Sequence, residues 1–218
     1  MKLFMKISSL LFLLITMITA LGYFFWYKPK VNATNKNYSV HVKAKVANKE
    51  RDRRFKEKAA ELRDYLKERN FNKAVCFLID MNINPGKNRF FVYNIGKDSM
   101  ELAGLVTHGS GSYRADSSLF FSNVSGSNCT SLGNYRIGKP YNGKFGLAYK
   151  LYGLDKTNNN AFERFVVLHS HSCVPSEEVY PGSICESWGC PTVSPIFLQS
   201  LKKIIDASEK PILLKIFN

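Results

Sequence analysis

Two short stretches carry the residue types most suited to covalent chemistry. One is Glu186–Thr192, in which a single cysteine, Cys190, stands between a glycine and a proline. The other is an apolar run that ends at His169. A thiol is a good nucleophile only as a thiolate, so a neighbouring base must take up its proton. The two stretches therefore predict a thiol nucleophile, Cys190, and its base, His169.

The neighbours of this pair supply the other groups that acyl chemistry needs. The Ser170 carbonyl can accept a hydrogen bond from the ring of His169 and orient it. Gly189 lets the backbone approach a substrate closely, so the N–H groups at Gly189 and Cys190 can form an oxyanion hole. On residue types alone, Cys190 could equally be a small buried hydrophobe.

The same region also fits a metal site. Five potential ligands lie within 22 residues: His169, His171, Cys173, Cys185 and Cys190. Two histidines at alternate positions of a strand face the same side, which suits a shared ion. Structural zinc sites, however, usually show tighter paired spacings than that between Cys185 and Cys190.

The five cysteines are an odd number for a chain that is exported. If Cys190 is the reactive thiol, Cys173 and Cys185 can close the loop between the base and the nucleophile. Cys76 and Cys129 would then form a second bridge, unless Cys76 is a reduced core residue in its strand.

The N-terminal segment predicts where the chain resides. Lys2 and Lys6 precede residues 7–27, a run of 21 residues without a charge. Roughly 20 apolar residues cross the hydrocarbon of a bilayer as a helix, and the aromatic cluster Phe24–Tyr27 is typical of its interface. We interpret residues 1–27 as an uncleaved signal anchor, with a cleaved signal peptide as the alternative. Either one exports the rest of the chain.

The net charge of +14 is unevenly distributed. Residues 1–70 hold 16 Lys and Arg against 6 Asp and Glu, a balance of +10, and residues 71–218 hold only +4. This asymmetry favours a tether near an anionic membrane or wall polymer and argues against a nucleic-acid partner.

The remaining elements predict a mostly β (α+β) domain. Residues 28–49 show no apolar period and are interpreted as a linker. Phe55, Ala59, Leu62 and Leu66 recur at helical spacing, which predicts a helix over 50–70. Further along, short apolar runs separated by turns predict strands at 74–81, 89–94, 100–107, 134–138, 145–154, 162–169 and 211–217, with a helix at 195–207.

The spacing of the two chemical stretches resembles a known signature. His169, a gap of 17 residues and then Ser187-Trp188-Gly189-Cys190 resemble the active site of the murein L,D-transpeptidase (YkuD-type) catalytic domain. Pro191 resembles the subgroup with Ser-x-Gly-Cys-Pro. Other stretches fit this subgroup in the same order, at residues 108–111, 121–123, 131–135, 141–146 and 151–155.

The resemblance implies a YkuD-like mixed β-sandwich over 50–218 and an acyl transfer without a cofactor or metal. Cys190 would attack the carbonyl after the third, diaminopimelyl, residue of a peptidoglycan tetrapeptide stem and release D-alanine. An amine of a neighbouring stem would resolve the thioester into a 3→3 cross-link. By the family pattern His169 is the base, the Ser170 carbonyl orients it, and the backbone at Gly189 and Cys190 holds the oxyanion.

Substrate contacts and acceptor remain separate expectations. The candidates for contact with the stem peptide are Ser187, Trp188, His108, Tyr135 and His171. His108 could instead shape a turn, and Tyr135 and Trp188 could be core residues, as aromatic residues on strands usually are. Arg114 could pair with a stem carboxylate, or be a solvated surface residue.

Several alternatives remain open. Water as acceptor would make the protein an L,D-carboxypeptidase, and a protein amine would attach that protein to the wall. A non-catalytic wall-binding or metal-binding module would keep the fold without a reactive thiol. The expected location is periplasmic, anchored to the inner membrane by the N-terminal helix, or secreted if the signal is cleaved.

Overall fold

The computed structural model of the protein describes residues 2–113 and 118–218, with the side chains of residues 2–11 and 31–49 left out. Arg114 therefore lies outside the described residues. The chain divides into two compact units, Met1–Glu57 and Lys58–Asn218.

The first unit is helical. Helix α1 spans Lys2–Gly22, a π-helical turn covers Tyr23–Tyr27, and helix α2 runs over Lys28–Lys67 into the second unit. The segment Phe12–Lys30, 19 residues with a mean hydropathy of 1.2 and no buried part, is long and apolar enough to cross a membrane. A signal sequence meets the same criteria, so length and composition alone do not separate the two.

Helix α2 differs from its prediction at both ends. Residues 28–49, interpreted as a linker, are helical, and the helix ends at Lys67 instead of residue 70. An apolar period reports the burial of one helix face and not helicity itself, so a helical segment without that period is missed. Where the period is present it was informative, because Phe55, Ala59, Leu62 and Leu66 are all buried.

A single mixed sheet organises the second unit. Its eight strands are β1 (Val75–Asp80), β2 (Phe90–Asn94), β3 (Ser99–Gly104), β4 (Gly133–Gly143), β5 (Gly146–Gly153), β6 (Val167–Ser170), β7 (Thr192–Val193) and β8 (Leu213–Phe217). Their order is β3-β2-β1-β8-β4-β5-β6-β7. The β1–β8 and β6–β7 pairs are parallel, and the other neighbours are antiparallel. The predicted mixed, β-rich fold with few helices is confirmed.

The segment that follows β3 joins the two edges of the sheet. Val106 forms a bridge with Val193 of β7, and the Thr107 N–H donates to the Thr192 carbonyl over 2.9 Å. The segment that leaves β3 is thereby placed beside β7. Strands β6 and β7 and this segment together position the candidate residues.

Strand β6 is shorter than the apolar pattern predicted. A strand was expected over 162–169, but β6 begins at Val167. Phe165 has a φ of 56° and its N–H donates to the Phe162 carbonyl over 3.1 Å, so the chain turns here. Phe165 is 83% exposed. It is apolar like a buried strand residue, so the pattern predicted a strand where the side chain does not enter the core.

Helix α3 (Pro195–Asp206) covers one face of the sheet. Its N-cap is Ser194, whose Oγ accepts from the Phe197 N–H over 3.2 Å, a cap that satisfies one of the free N–H groups at the helix start. The side chain of Phe197 meets Phe90 of β2 edge-to-face, with 5.3 Å between the ring centres. The core beneath the helix includes Phe77, Ile79, Val92, Tyr149, Leu168, Val193, Leu201 and Leu214.

Candidate active site

A cleft of about 210 Å³ opens beside β6 and β7. It contains five of the residues expected to take part in catalysis or substrate binding, namely Cys190, His169, His171, Ser187 and Trp188, and also the two cysteines expected to form a disulfide. The complete lining also includes Thr107, Phe145, Cys173, Cys185, Glu186 and Thr192. The fold therefore brings a thiol and an imidazole to one concave surface.

The ring of His169 is held on both sides. Its Nδ1 lies 3.1 Å from the Ser170 carbonyl, which only accepts, so Nδ1 carries the proton. Nε2 is then the unprotonated nitrogen and accepts from the Thr192 hydroxyl at 3.0 Å. Phe145 stacks on the ring with 5.2 Å between centres.

Burial lowers the pKa of His169 below its ordinary value of 6.5. The hydrogen bond to the Ser170 carbonyl acts in the opposite direction, and the nearby His171 adds a smaller lowering effect. The imidazole is therefore neutral at pH 7, the protonation state in which a general base is ready to accept a proton.

Cys190 rests as a thiol at neutral pH. Burial raises its pKa, while a backbone hydrogen bond at Val167 and the positive charge of Arg164 partly offset that rise. The Sγ lies 3.6 Å from the Phe165 carbonyl. A neutral thiol beside a neutral imidazole fits general-base activation at the moment of attack better than a preformed thiolate–imidazolium pair.

In the described structure the two reactive groups bond to other partners. Cys190 Sγ is directed to Phe165, and His169 Nε2 to the Thr192 hydroxyl. That hydroxyl has a second acceptor, the Cys190 carbonyl, at 3.5 Å. If this hydroxyl rotated to donate to the Cys190 carbonyl, Nε2 would no longer accept a hydrogen bond from it. Catalytic hydrogen bonds often tighten only when substrate is bound.

Hydrogen bonds fix the loop at residues 186–191, which we call the nucleophile loop. The Ser187 N–H donates to the His108 carbonyl over 2.9 Å, and Ser187 Oγ donates to the Cys190 carbonyl over 2.6 Å. Ser187 Oγ also accepts from the Gly189 N–H at 3.2 Å. Since the Gly189 N–H is engaged within the loop, the geometry favours the Cys190 N–H for the oxyanion role.

Gly189 is required at its position for two reasons. Its φ is +104°, a conformation that residues with a Cβ rarely adopt. A Cβ built there would also lie 2.7 Å from the Cys129 carbonyl. That carbonyl accepts from Arg164 Nη2 over 2.7 Å, so the backbone behind the nucleophile cannot easily move away.

Two residues expected to contact substrate do not line the cleft. His108 is 2% exposed, with Nδ1 held by Arg89 Nη2 at 3.0 Å, and burial together with Arg89 lowers its pKa to about 4. Tyr135 is fully buried, its hydroxyl donates to the Ser131 carbonyl over 2.7 Å, and burial raises its pKa to about 12. Both side chains lie outside the cleft lining, because a motif gives residue order and not the face on which a side chain lies.

The cysteines separate into one bridge and three free thiols. Cys173 and Cys185 form a disulfide, with 6.0 Å between their Cα atoms, and both line the cleft. Cys76 and Cys129 are free and buried, so the suggested second bridge was wrong. Cys76 lies in the core on β1, and burial raises its pKa to about 12.

The metal alternative loses two of its five ligands to this disulfide. Within residues 2–113 and 118–218, no three His, Cys, Asp or Glu side chains are grouped as metal ligands. The described part of this region therefore contains a free thiol, Cys190, and an imidazole, His169, in one cleft.

The sequence arguments missed four residues of the lining: Thr107, Phe145, Glu186 and Thr192. Thr107 Oγ1 donates to the Cys190 carbonyl over 3.1 Å and accepts from the Thr192 N–H over 3.1 Å. Thr192 and Glu186 stand within four positions of Cys190, so their closeness in sequence was a usable signal. Phe145 comes from the β4–β5 turn, and nothing local connects it to the cysteine.

A comparison with protein-family models identifies the family of the chain. The family model described as L,D-transpeptidase catalytic domain matches residues 47–214. No curated protein matches the sequence significantly.

Several solved structures resemble the chain. The helical cell shape determining protein Pgp2 of Campylobacter jejuni is 13% identical, with a TM-score of 0.42 over 72% of this chain and 54% of its own. The L,D-transpeptidase of Mycobacterium smegmatis is 13% identical, with a TM-score of 0.39 over 66% and 59%. That of Xylanimonas cellulosilytica is 14% identical, with a TM-score of 0.35 over 66% and 60%. The chain thus spans about half to three fifths of these proteins.

The family model covers most of the chain and includes the cleft with its cysteine and histidine. The chain belongs to the L,D-transpeptidase catalytic domain family.

Proposed function

We propose that this protein is a cysteine acyltransferase that cross-links peptidoglycan stem peptides. The observation that carries the proposal is the cleft that holds Cys190 together with His169, whose Nδ1 is fixed by the Ser170 carbonyl. A thiol nucleophile, an oriented base and a backbone N–H beside the nucleophile are the groups that a covalent acyl transfer needs.

In the first half-reaction His169 Nε2 takes the proton of Cys190 as Sγ attacks the carbonyl carbon of the third stem residue. The tetrahedral oxyanion is held by the Cys190 N–H. Collapse breaks the peptide bond, the protonated imidazole gives its proton to the departing amine, and D-alanine leaves. A thioester on Cys190 remains, and His169 is neutral again.

In the second half-reaction the amine of a neighbouring stem attacks the thioester. His169 removes the proton of that amine and returns it to the Cys190 sulfur as the C–S bond breaks. The product is a 3→3 amide, and both groups are restored. Water in place of the amine would give a tripeptide, so the acceptor is decided by which nucleophile the open cleft admits.

The N-terminal segment gives this reaction its place. A span over Phe12–Lys30 would hold the catalytic unit on the outer side of the inner membrane, next to newly made wall. The excess of positive charge on residues 1–70 would add attraction to anionic lipid or wall polymer.

The test compares muropeptides by mass spectrometry from cells that express wild-type protein, Cys190→Ala or Cys76→Ala. The Cys76→Ala variant is the matched control, because it removes a thiol that lies in the core and not in the cleft. We expect 3→3 dimers, or tripeptides if water is the acceptor, with wild type and Cys76→Ala only.

A second measurement follows the intermediate itself. Purified wild-type protein mixed with a tetrapeptide stem should gain the mass of a tripeptide acyl group, and Cys190→Ala should not. An unchanged muropeptide profile from folded, exported wild-type protein, together with no acyl adduct, would refute the proposal.

A further inference from the structure

Glu186 gives the cleft a negative charge. Among the described residues that line the cleft it is the one carboxylate, and no lysine or arginine is present there. Its side chain is 41% exposed, so one part of it is covered by protein and the other faces solvent and cleft.

The backbone of Glu186 is fixed on both sides. The preceding residue, Cys185, is tied to Cys173 by the disulfide, and the N–H of the following residue, Ser187, donates to the His108 carbonyl over 2.9 Å. A carboxylate on such a segment loses little backbone freedom when it binds a ligand.

A buried polar group lies close to this carboxylate. Nδ1 of His108 accepts from Arg89, so Nε2 carries the proton. Within the described residues Nε2 has no hydrogen-bond partner, and it lies 3.8 Å from Glu186 Oε1. At 3.8 Å this N–H makes no hydrogen bond to the carboxylate, but the dipole of a buried N–H at that distance favours a negative charge beside it.

The position of Glu186 relative to the nucleophile suggests which part of a substrate it meets. Ser187 Oγ donates to the Cys190 carbonyl over 2.6 Å, which closes the loop after Glu186, and Glu186 and Cys190 line the same cleft. Phe145 and Trp188, 49% and 77% exposed, add apolar surface to the wall of the same cleft. An aliphatic side chain that ends in an ammonium group suits such a wall.

We propose that Glu186 binds the free amino group on the third residue of the acyl donor and so selects stems with a basic third residue over stems with a neutral one. This inference rests on the proposed function for its substrate. A carboxylate–ammonium contact is a charge-assisted hydrogen bond, and its loss costs roughly tenfold or more in affinity.

The experiment uses the full-length chain and two synthetic tetrapeptides that differ only at the third residue, lysine in one and norleucine in the other. The variants are Glu186→Gln and, as a matched control for charge, Glu177→Gln. Glu177 is exposed, lies between Cys173 and Cys185, and is not in the cleft lining. We expect wild type and Glu177→Gln to release D-alanine from the lysine peptide with a kcat/KM about tenfold higher than from the norleucine peptide, and Glu186→Gln to show a ratio near one.

Binding of the same peptides to Cys190→Ala, with and without Glu186→Gln, separates this inference from the proposed function. A preference for lysine that is lost with Glu186→Gln supports the inference even if no variant turns over peptide, in which case the acyl transfer is wrong. A preference that survives Glu186→Gln, disappears equally with Glu177→Gln, or is missing in wild type overturns it, whether or not D-alanine is released.

Discussion

At the scale of the residue, the proposed catalysis would depend on two groups that are both uncharged at rest. Burial acts on them in opposite directions, because it disfavours the imidazolium of His169 and the thiolate of Cys190. The proton must then move during the attack, and the Thr192 hydroxyl, now on His169 Nε2, must turn away. Thr192 is therefore a positioning residue for the base.

The lowered pKa of His169 sets the acid limb of the pH profile. A base works only when unprotonated, so kcat/KM falls as the pH drops through the folded pKa of His169, which is lower than 6.5. We expect the midpoint of this limb below pH 6.5, measured as D-alanine release from a tetrapeptide between pH 4.5 and 8. In His171→Gln the midpoint should rise, since His171 helps to lower that pKa. A wild-type midpoint at or above pH 7 would instead indicate a stabilised imidazolium.

At the scale of the element, the nucleophile loop is the part of the fold most tightly specified by backbone geometry. Gly189→Ala combines a φ of +104° with a Cβ 2.7 Å from the Cys129 carbonyl. We expect a loss of about 2–4 kcal/mol in the free energy of unfolding, measured by urea denaturation. We also expect at least a tenfold fall in kcat/KM, because Cys190 moves with its neighbour.

The matched control for that change is Gly126→Ala. Gly126 also has a positive φ, +74°, but no atom lies within 4 Å of a Cβ placed there. Its cost should be limited to the backbone term of about 1–2 kcal/mol, with kcat/KM unchanged. Equal effects of the two substitutions on activity would show that contact with the Cys129 carbonyl does not matter.

The disulfide closes the loop that forms one wall of the cleft. It joins residues 12 positions apart, and a loop of about this size contributes roughly 3 kcal/mol through the unfolded state. We expect the double variant Cys173→Ala, Cys185→Ala to lose about this much free energy of unfolding and most of its acyl transfer. Wild type in strong reductant should then unfold at the same urea concentration as the variant. If reductant leaves the wild-type midpoint unchanged, the bridge contributes little.

The sequence predicted elements well where pattern and burial coincide. The run at 74–81 became β1 and the run at 89–94 became β2, because their side chains enter the core. Phe162 and Phe165 broke the rule, since they are apolar but half or fully exposed on a turn. The candidate site was predictable to a similar extent. The order of His169 and Cys190 was visible in the motif. The environment of His108 was not, because its hydrogen-bond partner Arg89 lies 19 residues away in the sequence.

At the scale of the whole molecule, the segment that could span a membrane and the cleft lie in different parts of the chain. The net charge is concentrated in residues 1–70, and the cleft lies in the unit Lys58–Asn218, which also contains the whole sheet. A mildly basic catalytic unit does not need its own affinity for the wall if the N-terminal segment keeps it near the membrane. The local concentration of the enzyme at its substrate is then set by the tether.

The final prediction tests that tether by one change in the middle of the apolar segment. An arginine at the centre of a membrane helix costs about 2.5–3.5 kcal/mol of insertion, so Leu21→Arg, central in Phe12–Lys30, should shift the protein out of the membrane fraction that resists carbonate extraction. Tyr27→Arg is the matched control, because near Lys28 and Lys30 the new side chain can reach the interface. Wild type and Tyr27→Arg should remain in the membrane fraction. If wild type is recovered soluble and lacks its first 20 or so residues, the segment is a cleaved signal and the anchor is wrong.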